Sequence, residues 1–93
     1  MPDKVHCAHI LVKTEGEAYL ALKEIRDGKS FADVAMEKSI CPSRKKGGEL
    51  GWFGRNMMVK EFETAAFAGK KGQIIGPIKT QFGYHLILIN DTQ

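Results

Sequence analysis

Cysteine is scarce in this chain of 93 residues. Cys7 and Cys41 are too few to staple a small scaffold, and they are expected to be free thiols in a reducing compartment. Long hydrophobic runs are missing as well. The longest near the C-terminus, Leu86 to Ile89, falls far short of the roughly 20 residues that a membrane span needs, and Met1-Pro2-Asp3-Lys4 has no apolar signal core. A soluble, cytoplasmic, monomeric protein is therefore expected. No repeat, low-complexity stretch or linker divides the sequence, and a chain of this length closes one hydrophobic core, so residues 1–93 are expected to form a single domain. Short metal-ligand spacings are also lacking. His6 and His9 stand three apart and would project from opposite faces of a strand, so neither a metal nor another cofactor is expected. A Cys-His nucleophilic pair is conceivable, but nothing marks an oxyanion hole or a third orienting group, which argues against hydrolysis.

What is present is an ordinary globular balance, 43% apolar and 27% charged, far from the composition of disordered chains. The charge is uneven: residues 1–43 carry six Lys and Arg against seven Asp and Glu, and residues 44–93 carry eight against four. Arg44, Lys45 and Lys46 are the densest basic cluster. They read best as a solvated loop; with Lys70 and Lys71 they are also the residues that would contact a nucleic acid or an anionic surface.

Residues Val5 to Lys13 are rich in Val, Ile and Leu without Gly or Pro, the pattern of a strand buried on both faces, with Cys7, His9 and Leu11 on one side. Thr14 and Glu17 form a capping signal. Ala18, Ala21, Leu22 and Ile25 then recur at helical spacing until Gly28. Ser30 and Asp33 open a second, short helix with Phe31, Val34, Ala35 and Lys38 on one stripe, ending near Ser39. From Ile40 to Arg55 the pattern breaks into a loop followed by a short strand around Leu50-Gly51-Trp52-Phe53. Val59, Phe62, Ala65 and Ala66 mark a third helix that stops at Gly69. Gly72, Gly76 and Pro77 read as turns, and Ile78 to Thr80 and Tyr84 to Asn90 read as a hairpin joined through Phe82-Gly83. The order is β-α-α-β-α-β-β, a mixed sheet with helices packed on it.

Three positions compete for chemistry: His9 in the first strand, Cys41 beside Pro42 in the irregular loop, and His85 in the last strand. Each alone is weak, because a histidine in an apolar strand is usually a hydrogen-bonded structural residue and a loop cysteine is usually inert. Together the histidines say more. Alternation groups His85 with Ile87 and Ile89 just as it groups His9 with Leu11, and two buried imidazoles need partners: each other, or a hydroxyl such as that of Thr80.

Four segments, in this order and spacing, give the chain a family resemblance over nearly its whole length. They are His9-Ile10-Leu11-Val12-Lys13, Cys41-Pro42-Ser43 through Gly47-Gly48-Glu49-Leu50-Gly51-Trp52-Phe53, Met58-Val59-Lys60-Glu61-Phe62, and Phe82-Gly83-Tyr84-His85. The chain resembles the parvulins, peptidyl-prolyl cis/trans isomerases that use no cofactor. The resemblance implies an α+β fold of the FKBP-like superfold, a four-stranded, mostly antiparallel sheet surrounded by about four helices. It also implies that His9 and His85 are the family's active-site histidines, with Cys41 at its cysteine-or-aspartate position and Thr80 as a hydroxyl of the histidine network. Leu50, Met58 and Phe62 match the pocket for the substrate proline ring, and Phe82 lines the cleft. Trp52 and Phe53 are expected to pack beneath the loop. In the phosphate-directed branch a basic loop follows the first strand; here Lys13 runs straight into Thr14-Glu15-Gly16-Glu17, so phosphate recognition is not expected. No WW domain precedes these segments, as in the minimal prokaryotic form. The implied partners are proline-containing polypeptides, whether isomerised during folding or bound without catalysis in the same groove.

Overall fold

The computed structural model describes residues 2–93. Its elements run β1 (Lys4–Val12), α1 (Glu15–Arg26), α2 (Phe31–Lys38), a 3-10 helix (Pro42–Lys46), β2 (Glu49–Gly54), α3 (Lys60–Ala68), β3 (Ile74–Thr80) and β4 (Gly83–Thr92). The four strands form one sheet in the order β2-β1-β4-β3, antiparallel at every pairing. The fold is α+β as expected, with the 3-10 helix standing as the fourth helical element beside three α-helices among the described residues.

The central position of β1 and β4 explains why both read as apolar on both faces. Ala8, Ile10 and Val12 of β1 and Leu86 of β4 pack under α1 and α2, against Ala18, Ala21, Phe31 and Val34. Val5, Cys7, Ile87 and Ile89 face the other way, against Phe53 and the Phe62, Ala66 and Phe67 side chains of α3. Local signals set the helix starts: Thr14 Oγ1 accepts the Glu17 N–H at 3.2 Å and Ser30 Oγ accepts the Asp33 N–H at 3.1 Å.

Two turn signals have other causes. Gly69 ends α3 in an extended conformation; it is glycine because a Cβ there would stand 2.6 Å from Ile75 Cδ1 and 2.8 Å from Ile89 Cγ1. Gly76 and Pro77 lie inside β3, which begins at Ile74 rather than Ile78; the register skips these two residues, making an irregularity in an edge strand where both are tolerated. The expected loop after Ile40 is partly helical: Pro42 starts the 3-10 helix and Gly47, left-handed at φ 69°, ends it.

Candidate active site

His9 and His85 come from the two central strands. The register pairs Leu11 with His85 and His9 with Ile87, so the histidines are diagonal neighbours on the face covered by α3. Their Nδ1 atoms are 3.0 Å apart and their rings stack at 5.2 Å with an interplanar angle of 23°. Phe62 turns its ring nearly perpendicular to both, at 5.6 Å from His9 and 5.3 Å from His85. The outer nitrogens are occupied too. His85 Nε2 lies 2.8 Å from Thr80 Oγ1, and His9 Nε2 lies 3.2 Å from Ser43 Oγ.

Burial, with the neighbouring His85 as the second cause, lowers the His9 pKa to about 4; burial likewise lowers that of His85. Both imidazoles are therefore neutral at neutral pH. The expected network of His9, His85 and Thr80 is assembled, and Ser43 joins it. The sequence held Ser43 inside the Cys41-Pro42-Ser43 segment, but only the 3-10 helix turns its hydroxyl toward β1.

The histidines are part of the wall of an apolar groove of about 490 Å³. Leu50 from β2, Met58 from the segment before α3, and Phe62 from α3 line it together, with Cys41 and Phe82 also on its wall. Leu11, Ile40, Pro42 and Val59 complete the lining and were not singled out from the sequence. Phe82, in the turn between β3 and β4, and Ile40 are 56% and 50% exposed, so the groove has an apolar rim as well as an apolar floor.

Cys41 is half-buried and held by its backbone. Its N–H donates to Ser39 Oγ at 3.3 Å, the same oxygen that accepts the Leu11 N–H, and Ile40 N–H donates to Leu11 O at 2.8 Å. The buried Ser39 thus fastens the Cys41 segment to β1. Cys7 is a different thiol: burial and, secondarily, Glu49 push its pKa up to about 12, which leaves it protonated and unreactive.

Phe53 packs in the core beneath the groove, but Trp52 does not. It is 45% exposed and stacks on His6 at 5.2 Å, because alternation along β2 sends it to the opposite face from Phe53. Arg44, Lys45 and Lys46 are exposed on the 3-10 helix whose first residue, Pro42, lines the groove; Lys70 and Lys71 are exposed after α3. Among the described residues no group of three or more His, Cys, Asp or Glu is placed to hold a metal ion, and no helix is long and apolar enough to cross a membrane.

An apolar groove lined in part by two neutral imidazoles, carried on the inner strands of this sheet, is the arrangement of a parvulin-type domain. The Rotamase family model, a PPIC-type PPIASE domain, matches residues 9–91, beginning at His9 itself. The chain belongs to this PPIC-type family. It is 45% identical over 91 residues to the foldase protein PrsA of a Geobacillus species, covering 97% of this chain and 33% of that protein. The crystal structure of the peptidylprolyl isomerase PrsA from Bacillus anthracis superposes with a TM-score of 0.95 at 39% identity, covering 99% of this chain and 43% of that one. The solution structure of the parvulin of Nitrosopumilus maritimus superposes at 0.86 with 43% identity, covering 96% and 97%. The chain thus spans about a third of the PrsA protein it matches in sequence, and nearly all of the small archaeal parvulin.

Proposed function

We propose that this domain is a peptidyl-prolyl cis/trans isomerase that accelerates rotation about Xaa-Pro bonds of polypeptides and assists their folding, without covalent attack and without phosphate direction. The observation that carries this reading is the apolar groove lined by the neutral His9–His85 pair together with Leu50, Met58 and Phe62.

Rotation about the bond before proline meets a barrier of about 18–20 kcal/mol because amide resonance must be broken. No covalent bond has to form. A planar amide carries partial positive charge on nitrogen and negative charge on oxygen; twisting removes both, so surroundings that solvate charge poorly favour the twisted form. Leu50, Met58 and Phe62 supply such surroundings for the ring. A thousandfold acceleration needs about 4 kcal/mol of preferential binding to the twisted state, within reach of ring burial and orientation. Since α1 begins at Glu15, directly after Thr14, no basic loop follows β1 to hold a phosphate.

Exchange NMR on a short peptide with an apolar residue before proline tests the reading: faster cis/trans exchange at micromolar protein is expected, and none would end it. Binding without faster exchange would instead identify a noncatalytic peptide-binding chaperone module. Met58→Ala should lower kcat/KM about tenfold by removing apolar contact with the ring, while changing stability by less than about 1 kcal/mol because Met58 is only partly buried. Cys41→Asp should retain substantial exchange activity, since the thiol tunes the field beside the substrate carbonyl and does not attack it. Complete loss with an intact fold would point to covalent catalysis.

A further inference from the structure

Three residues of the groove wall, Met58, Val59 and Phe62, are close neighbours in the chain, but only Phe62 belongs to a helix. Met58 and Val59 lie in the segment between β2 and α3, which has no regular secondary structure to hold it. Within that segment Asn56 has φ 67°, a left-handed conformation that few residues other than glycine adopt. One local contact, Gly54 N–H to Met57 Sδ at 3.2 Å, ends on a weak acceptor. The stronger anchor comes from α3. Glu63, next to Phe62, reaches back along the chain: its Oε1 accepts the backbone N–H of Asn56, and its Oε2 lies 3.5 Å from a guanidinium nitrogen of Arg55. The Arg55 guanidinium is in turn seated over the ring of Phe67, 4.4 Å from its centroid and one helical turn beyond Glu63. The Glu63 side chain is only 15% exposed, so this carboxylate is sheltered and has both oxygens engaged, unlike a solvated surface ion pair.

We propose that Glu63 is a positioning residue: by holding the Arg55–Asn56 turn against α3 it fixes Met58 opposite Phe62 and so sets the width of the pocket that takes the proline ring. Glu63 does not line the groove, and it acts through Met58. Its carboxylate ties the start of the segment that carries Met58 and Val59 to the helix that supplies Phe62. Its charge is the lesser part. An acid in the first helical turn favours the positive end of the helix, and Glu61 makes that contribution as well. What Glu63 adds is the acceptor for Asn56 N–H.

The placement of Met58 is a property of the free protein, whereas its effect on exchange rests on the isomerase function proposed above. Methyl spectra of the full chain with labelled methionine read the first, since Met58 packs against the cluster that contains the Phe62 ring. In Glu63→Ala the Met58 methyl resonance should move toward its unfolded-chain position, and kcat/KM for a short Xaa-Pro peptide should fall about fivefold. Glu63→Gln removes the charge but keeps an oxygen to accept Asn56 N–H, so it should keep the wild-type resonance and stay within about twofold in kcat/KM. An unmoved Met58 resonance in Glu63→Ala overturns the positioning role whatever the exchange rate. Equal losses in the two variants overturn it too, because they would assign the effect to helix-end charge. A moved resonance with unchanged exchange overturns the catalytic half, and absence of exchange in the wild type ends the isomerase reading while the methyl spectra still decide the placement. The wild type supplies a measurement that needs no variant: although Asn56 is exposed, its amide should exchange with water at least about tenfold more slowly than an unbonded one, and rapid exchange overturns the proposal.

Discussion

Replacing Gly48 with alanine is expected to destabilise the fold by about 3 kcal/mol, read as a lower midpoint in urea unfolding, and to depress exchange activity in whatever fraction stays folded. Gly48 has φ 87°, and a Cβ there would stand 2.3 Å from the carbonyl oxygen of His9 and 3.2 Å from Ala35 Cβ. Left-handed strain accounts for about 1–2 kcal/mol of the cost. The rest arises because the obstructing atom belongs to the backbone of a central strand, which cannot step aside like the tip of a flexible side chain. The displaced strand residue is His9, whose N–H is bonded to Gly48 O, so the damage falls on the imidazole pair. Gly51 is the control. It is also left-handed, at φ 75°, but a Cβ there meets nothing within 4 Å, so Gly51→Ala should cost only the strain, about 1–2 kcal/mol, and leave exchange nearly intact. Equal midpoints for the two variants would show that the Gly47-Gly48 turn gives way without disturbing β1.

The contrast between these glycines also marks how far the sequence could be read. Thr14 and Ser30 announced their helices because a cap is a local event, decided within three residues. Alternation along β1 and β4 grouped His9 with Leu11 and His85 with Ile87 and Ile89 for the same reason and made Thr80 a candidate partner, and the family resemblance added Leu50, Met58 and Phe62, all of which meet in the fold. Ser43 and Ser39 stayed hidden, since their value depends on where the 3-10 helix lands against β1; Ser43 is 34 residues from the histidine it touches. Gly76 and Pro77 misled because residues that stop a strand elsewhere are tolerated in an edge strand with an irregular register. Trp52 misled through treatment as one unit with Phe53, although neighbouring residues of a strand face opposite ways.

Lowering the pH from about 6.5 to 4 is expected to remove about 3 kcal/mol of stability through His9 alone. The folded protein holds the His9 pKa near 4, below the ordinary value of 6.5, so in that interval the unfolded chain binds the proton more readily than the folded one. The stabilisation from a neutral, buried His9 is thus fully present above about 6.5 and declines as the pH falls toward 4. His85, lowered in the same direction by burial, adds to the loss. Urea unfolding of the wild type and of His9→Gln across this interval isolates the contribution of His9: the free-energy difference between them should shift by about 3 kcal/mol as the pH falls, because only the wild type carries that titration. A wild-type stability that stays flat would show that His9 is not held neutral. Exchange activity supplies the independent arm. Protonating His9 puts a proton on both of its nitrogens and a positive charge on a buried ring 3.0 Å from His85, which disturbs the pair. Activity should therefore be constant through neutral pH and fall only well below 6, where His9 takes up its proton.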